Sequence, residues 1–158
     1  MAATEGCPGS RMIDLGSRAT PAEESTAKVG SQLRQWPIQL HLVSPMAPYY
    51  HGADVLLSAD CVAYALGSFH GDYLKGKSLA IACPKLDEGQ DVYVQKIQAL
   101  IETAKINTLT VIIMEVPCCM GLLNLAQQAM QRSSRKVPLK CVVLGLQGEV
   151  QSEDWVPA

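Results

Sequence analysis

The sequence has no long hydrophobic run, no excess of basic residues and few aromatic side chains. No apolar stretch approaches the roughly 20 residues that a membrane-spanning helix requires. The 13 basic and 15 acidic side chains give a formal net charge of −2, whereas proteins that bind nucleic acids through phosphate contacts usually carry a basic surplus. Aromatic residues make up 5% of the chain, so the core must be largely aliphatic. These absences predict a protein that binds neither membranes nor nucleic acids.

The first residues also lack the pattern of a secretion signal. Between Met1 and Arg11 no basic segment is followed by an apolar one, as a signal peptide requires. We therefore expect a cytoplasmic protein. The 6 cysteines in 158 residues are too few for a small disulfide-stabilised scaffold. In a reducing compartment such cysteines are more often buried, bound to metal or redox-active.

The chain divides into two segments of different composition. Residues 1–35 are small, polar and weakly periodic, which predicts an irregular N-terminal arm. Residues 36–158 contain the apolar runs and amphipathic segments, and 48% of the whole chain is hydrophobic, enough to form a core. This pattern predicts a single α/β domain over residues 36–158.

The elements of that domain can be predicted from hydrophobic patterning. Short apolar segments predict strands at 38–43, 53–59, 78–82, 109–114 and 139–144. Apolar residues spaced three and four apart predict helices over 91–106 and 120–133, and a shorter one over 62–74. Apolar strands that alternate with helices are typical of a parallel sheet covered on both faces. We expect a three-layer α/β fold with a mainly parallel sheet of about five strands, followed by a peripheral acidic tail from residue 149.

Four cysteines directly follow three of the predicted strands. Cys61 follows the second strand, Cys83 the third, and the adjacent pair Cys118 and Cys119 the fourth. In open α/β sheets, ligands bind outside the carboxyl ends of the strands, and neighbouring parallel strands lie about 5 Å apart. The four thiols can therefore converge on one centre. Cys141 instead lies inside a predicted strand, as a core cysteine does.

Four converging thiols favour a metal or redox centre. Thiolates bind zinc and iron–sulfur clusters, and Cys118 and Cys119 precede a predicted helix whose N-terminal positive charge stabilises thiolate. The cysteine spacing matches neither a zinc knuckle nor a ferredoxin motif. An adjacent pair suits a multinuclear cluster better than one tetrahedral ion, because consecutive side chains diverge. A zinc site, a metal-free thiol redox site and a strained Cys118–Cys119 disulfide stay open as alternatives.

Two charged residues lie beside these cysteines. Lys85, two residues after Cys83, is a candidate for stabilising thiolates or balancing the charge of a cluster. Glu115 stands at the end of a strand near the cysteine pair and is a candidate proton carrier. The alternative for Glu115 is a carboxylate that caps a loop or pairs with Lys85.

The cysteine segments resemble the C-terminal domain of bacterial and archaeal iron–sulfur cluster-binding proteins of the ferredoxin-domain type. The similar segments span residues 6 to about 150 and include ADC at 59–61, CPKLD at 83–87 and MEVPCC at 114–119. Two glycines commonly follow the cysteine pair in that family, where this chain has Met120 and Gly121, and the family's N-terminal ferredoxin module is missing from this sequence.

The resemblance implies electron transfer near an iron–sulfur cluster, with Cys61, Cys83, Cys118 and Cys119 as ligands. It adds Cys7 as a further candidate thiol, and it implies a redox partner protein or a ferredoxin module as partner. A domain that only docks and orients a ferredoxin module is a further alternative.

Overall fold

The computed structural model of the chain describes Leu15 and residues 27–157. The main elements, in chain order, are β1 (Asp54–Ala59), α1 (Val62–Ala65), a π-helical turn (His70–Leu74), β2 (Ser78–Ala82), α2 (Gln90–Glu102), β3 (Thr108–Met114), α3 (Met120–Arg132), β4 (Leu139–Leu144) and β5 (Val150–Val156). Single 3₁₀ turns lie at Pro48–Tyr50 and Pro117–Cys119. None of the helices in the described part of the chain is long and apolar enough to span a membrane.

The five strands form one sheet in the order β2-β1-β3-β4-β5. The first four are parallel, and β5 runs antiparallel to β4. Strands β1 and β3 are buried along almost their whole length, as expected for parallel strands in the middle of a covered sheet. The predicted α/β fold with a mostly parallel sheet of five strands is confirmed.

Two long helices pack against each other and supply much of the core. The buried positions of α2 are Tyr93, Val94, Ile97, Leu100 and Ile101, and α3 buries a similar row from Leu122 to Met130. Helix α3 agrees with its predicted bounds to within a residue. Helix α2 begins after Gly89, whose φ of 70° suits glycine, and it ends at Glu102, short of the predicted residue 106. The predicted helix over 62–74 is two separate short turns.

Basic residues after α3 stabilise the ends of both helices. Arg135 donates hydrogen bonds to the carbonyl oxygens of Ile101 at 3.1 Å, in the last turn of α2, and of Ile106 at 2.8 Å, in the segment that follows the helix. Lys136 donates to the carbonyls of Met130 and Ser133 at the end of α3. The two cations thus bind carbonyl oxygens at the ends of the helices and in the residues that follow them, where basic side chains are favourable.

The predicted strand at 38–43 is wrong. Only Gln39 forms a bridge, to Ile81 at the outer edge of β2, and the chain turns immediately afterwards. The ammonium group of Lys96 binds the carbonyl oxygens of Leu40, His41 and Val43 at 2.7–2.9 Å. The backbone N–H groups of Leu42 and Val43 bond to the carbonyl of Gln39 in this turn, so the alternating pattern does not extend the sheet.

The acidic tail from residue 149 lies at the periphery, but it forms the edge strand β5, which the sequence did not predict. The strand is largely exposed, and its polar sequence gave no apolar signal. Lys140 of β4 pairs with Glu153 at 2.8 Å and lies 4.8 Å from the ring centre of Trp155. Pairing with β4, rather than a buried apolar face, makes this segment a strand.

Candidate functional site

A cavity of about 560 Å³ opens at the carboxyl ends of β1, β2 and β3. The cavity lies where the order of the strands in the sheet changes direction. From β1 the chain continues to the neighbouring strand on one side, β2. From β3 it continues to the neighbouring strand on the other side, β4. Such a point leaves a crevice between the loops and is the usual ligand site of open α/β sheets. The volume lies in the range of small-molecule and cofactor sites.

Four cysteines line this one cavity: Cys61, Cys83, Cys118 and Cys119. The strand register explains their meeting, since Ala59 pairs with Ala82 and the next residues of β1 and β2 therefore leave the sheet at the same level. The 3₁₀ turn Pro117–Cys119 brings the pair to the same edge from β3. Cys141 is buried within β4 and is not part of the cavity lining. Cys7 lies outside the described residues.

The four thiols differ in exposure and acidity. Cys61 is exposed, Cys83 and Cys118 are half-buried, and Cys119 is 7% exposed. Burial raises the pKa of Cys119 from 9.0 to about 11, against the weaker opposing effect of a hydrogen bond with the Met114 backbone. Partial burial also raises the pKa of Cys61, reinforced by the nearby Cys83, Asp60 and Cys118.

The expectation that the start of α3 would stabilise a thiolate is therefore wrong for Cys119. Helix α3 does begin directly after this residue, so the position was predicted correctly. The cost of burying a charged sulfur exceeds the effect of the helix terminus there. Without a bound metal, Cys119 is a protonated thiol at neutral pH.

The rest of the lining is mainly apolar, with Tyr64, Leu86, Val116 and Leu146 around the thiols. Lys85, predicted to lie near the cysteines, also borders the cavity. Tyr64 and Leu86 are 93% and 79% exposed, so the cavity has an apolar rim. The sequence gave none of these apolar residues a role at the site: Tyr64 lies on the short helix α1, and the other three lie in connecting segments.

Glu115 lies outside the cavity lining. Its carboxylate accepts a hydrogen bond from the backbone N–H of Leu146 at 3.3 Å and another from the side chain of Gln151. It thereby ties the end of β3 to the connection between β4 and β5. This arrangement resembles the loop-capping alternative more than a proton carrier that faces the thiols.

Asp60, which precedes Cys61 in the ADC segment and whose place in the sequence favours a cap of the next segment, is an acidic residue of the cavity; the N-cap of α1 is Cys61, and no side chain caps it. It directly follows β1 and borders the cavity, and its Oδ1 atom is buried without a hydrogen-bond partner. Burial raises the pKa of Asp60, and the neighbouring carboxylate of Asp87 adds to the effect. Its place immediately after a buried strand was the signal that could have identified it.

The side chains of the described residues do not form a ready site for a single metal ion. Within residues 27–157 and Leu15, no three Cys, His, Asp or Glu side chains are arranged to hold one metal ion together. A single zinc ion requires sulfur ligands at about 2.3 Å, so its four thiolates would have to crowd around one point. In an iron–sulfur cluster each thiolate binds a different iron atom, so the four ligands need not meet at one point.

Comparison with known proteins supports the architecture. An uncharacterized protein of the archaeon Archaeoglobus fulgidus is 25% identical to this chain over 122 residues, which cover 76% of this chain and 84% of the archaeal protein. No solved structure is significantly similar to the chain. The family model described as a Rossmann-like domain matches residues 47–156, which include all five strands and all four cavity cysteines. The chain therefore belongs to the Rossmann-like domain family.

Proposed function

We propose that this protein is a redox domain that holds an iron–sulfur cluster through Cys61, Cys83, Cys118 and Cys119. One observation carries the proposal: four of the cysteines, delivered by three different strands, line a single cavity. Free cysteines are usually dispersed core residues, as Cys141 is here. Their gathering at the ligand-binding edge of the sheet supports a shared centre.

The cavity offers the surroundings that such a centre needs. A bound cluster would supply one-electron transfer, with a potential set by burial and by hydrogen bonds to its sulfurs. The apolar walls limit the access of water, and Lys85 places a cation at the border. Thiols must lose their protons to bind metal, so loading releases protons from Cys119 and Cys61, whose pKa values are raised.

The resemblance of the cysteine segments to iron–sulfur proteins is consistent with this proposal. On this basis we propose a redox partner protein or a ferredoxin module as partner, and work in the reducing cytoplasm. The apolar rim formed by Tyr64 and Leu86 surrounds the opening through which electrons would pass. We further propose that helices cover both faces of the sheet, completing a three-layer arrangement.

The test is the metal content of protein purified without oxygen. We expect iron with matching acid-labile sulfide and broad visible absorption. Serine in place of Cys61, Cys83, Cys118 or Cys119 should lower the iron content, whereas Cys141→Ser, a matched change inside β4, should leave it unchanged. If the protein contains zinc but no iron or sulfide, the cysteines form a zinc site and not an iron–sulfur site. Equal metal content in all five variants would refute any site at these thiols.

A metal-free thiol redox site is the second candidate, since the side chains of Cys118 and Cys119 are hydrogen-bonded neighbours. In that case Cys118 would attack a disulfide and Cys119 would resolve the mixed disulfide, leaving the protein oxidised and the substrate reduced. This candidate predicts no iron and a pair that is oxidised reversibly by a small disulfide. A protein with neither metal nor reactive thiols would be left as a docking domain.

A further inference from the structure

The carboxylate of Asp87 holds together the loop that carries Cys83, and its hydrogen bonds to this loop and to α2 are called the tie below. Oδ2 of Asp87 accepts a hydrogen bond from the backbone N–H of Cys83 at 2.9 Å and another from the hydroxyl of Tyr93. The backbone N–H of Asp87 donates in turn to the carbonyl of Cys83 at 2.9 Å. The two ends of the turn from 83 to 87 are thus joined in both directions.

Tyr93 anchors this tie in the core. It lies on α2 and is fully buried, with its ring centre 4.4 Å from that of His41. Burial and the bond to Asp87 raise the pKa of Tyr93, so its hydroxyl keeps its proton and remains a donor. The carboxylate therefore connects the backbone of Cys83 to a fixed point of the fold.

The tie determines what the loop presents to the cavity. Cys83, Pro84, Lys85 and Leu86 all line the cavity and all lie within the turn that Asp87 closes. Asp60 stands close enough for the charge of Asp87 to affect it. A negative group that is hydrogen-bonded, partly buried and adjacent to a thiol influences both the position of the sulfur and the local potential.

We propose that Asp87 is a positioning residue that fixes the sulfur of Cys83 in the cavity wall and makes the reduction of the centre less favourable. The positional part concerns this chain alone, whereas the effect on reduction rests on the proposed function. The two hydrogen bonds also account for the acidic residue at the end of the CPKLD segment, because one carboxylate oxygen at this point accepts from both donors.

The positional part can be tested on metal-free protein. Asp87→Ala should speed hydrogen exchange of the Cys83 amide about tenfold or more, since its acceptor is lost. It should also raise the rate of alkylation of Cys83 relative to Cys61 in the same molecule. Asp87→Asn should keep the exchange rate and the alkylation rate near those of the wild type, because its amide oxygen still accepts the two hydrogen bonds. Tyr93→Phe, which removes one bond, should give a smaller increase. If Asp87→Ala shows the same exchange rate and the same alkylation rate at Cys83 as the wild type, Asp87 does not position Cys83.

The electrostatic part requires loaded protein and a matched control. Asp87→Asn removes a negative charge but keeps the hydrogen bonds, so the reduction potential should rise. Glu88→Gln removes a charge from the next residue, which is exposed, and should leave the potential near that of wild type. Equal shifts in the two variants would overturn the electrostatic role. If the wild-type protein takes up no iron, the proposed function fails, while exchange and alkylation still decide whether Asp87 positions Cys83.

Discussion

The side chain of Gln35 occupies the outer edge of β2 as a strand residue would. Its Oε1 accepts the backbone N–H of Leu79 at 3.0 Å. Its Nε2 donates to the Leu79 carbonyl and to the hydroxyl of Tyr50, the latter at 3.2 Å. Gln35 is 8% exposed, so water cannot readily replace these bonds. We predict that Gln35→Ala strongly destabilises the fold.

The magnitude follows from which partners are lost. The carbonyl of Leu79 keeps the hydroxyl of Tyr50 at 2.8 Å, but the Leu79 N–H loses the acceptor supplied by Gln35. A buried donor without a partner costs about 1–3 kcal/mol, and the missing side-chain atoms add a small cavity. We expect a total loss of about 2–4 kcal/mol in the free energy of unfolding. In a protein of this size that corresponds to a fall in Tm of about 4–16 °C.

Urea unfolding followed by circular dichroism measures this loss. The midpoint should fall while the slope stays unchanged, because the surface exposed on unfolding hardly differs. Gln128→Ala is the matched control, since Gln128 is exposed on α3 and should change stability little. Gln35→Glu, which keeps an acceptor but removes the donor, should also destabilise. A loss below about 0.5 kcal/mol in Gln35→Ala, the range of ordinary surface changes, would refute the edge-pairing role.

Three further predictions test other contacts. With a pKa of about 11 against an ordinary 9.0, Cys119 in metal-free protein should react with iodoacetamide at pH 8 roughly 100-fold more slowly than in unfolded protein. Peptide mass spectrometry measures this rate, and equal rates would contradict the burial argument. Hydrogen bonds from Thr108 and, to a smaller extent, from Asn107 lower the pKa of Asp54 in the folded protein. The ionised carboxylate therefore stabilises the fold at pH values above its unfolded pKa near 3.8. This stabilisation is lost as the pH falls through the lower folded pKa. Asp54→Ala should therefore cost less than about 1 kcal/mol at pH 7, since solvent screens the group, and urea titrations should show the difference shrinking as the pH falls below 3.8. Lys96→Met keeps an aliphatic side chain but removes three hydrogen bonds to carbonyl oxygens. It should lower the free energy of unfolding, measured in urea, by about 1–3 kcal/mol. An unchanged midpoint would mean that the turn is stable without these three bonds.

The middle of the sheet could be predicted from sequence because its signals are local. Strands β1, β2, β3 and β4 are short apolar runs, and α2 and α3 carry apolar residues at helical spacing. Parallel strands necessarily bring their carboxyl ends to one edge. The convergence of Cys61, Cys83 and the cysteine pair therefore followed from sequence once the strands were assigned.

The edges of the sheet could not be predicted, because they depend on partners distant in the chain. The segment 38–43 alternates like a strand, yet Lys96 and Gln35 supply competing hydrogen bonds around it. Residues 150–156 have no apolar pattern, yet β4 offers them a free row of backbone groups. The sequence predicted about the right number of strands, but one of those strands was misplaced.

The α/β alternation and the strand-end positions of the four cavity cysteines can be read from the amino-acid sequence, because periodicity and chain order are properties of nearby residues. The sheet edges, the cavity with its apolar rim and the acidity of Cys119 are set by the packing of the folded chain. Each of these depends on the burial and hydrogen bonds that segments far apart in the chain create when they pack together.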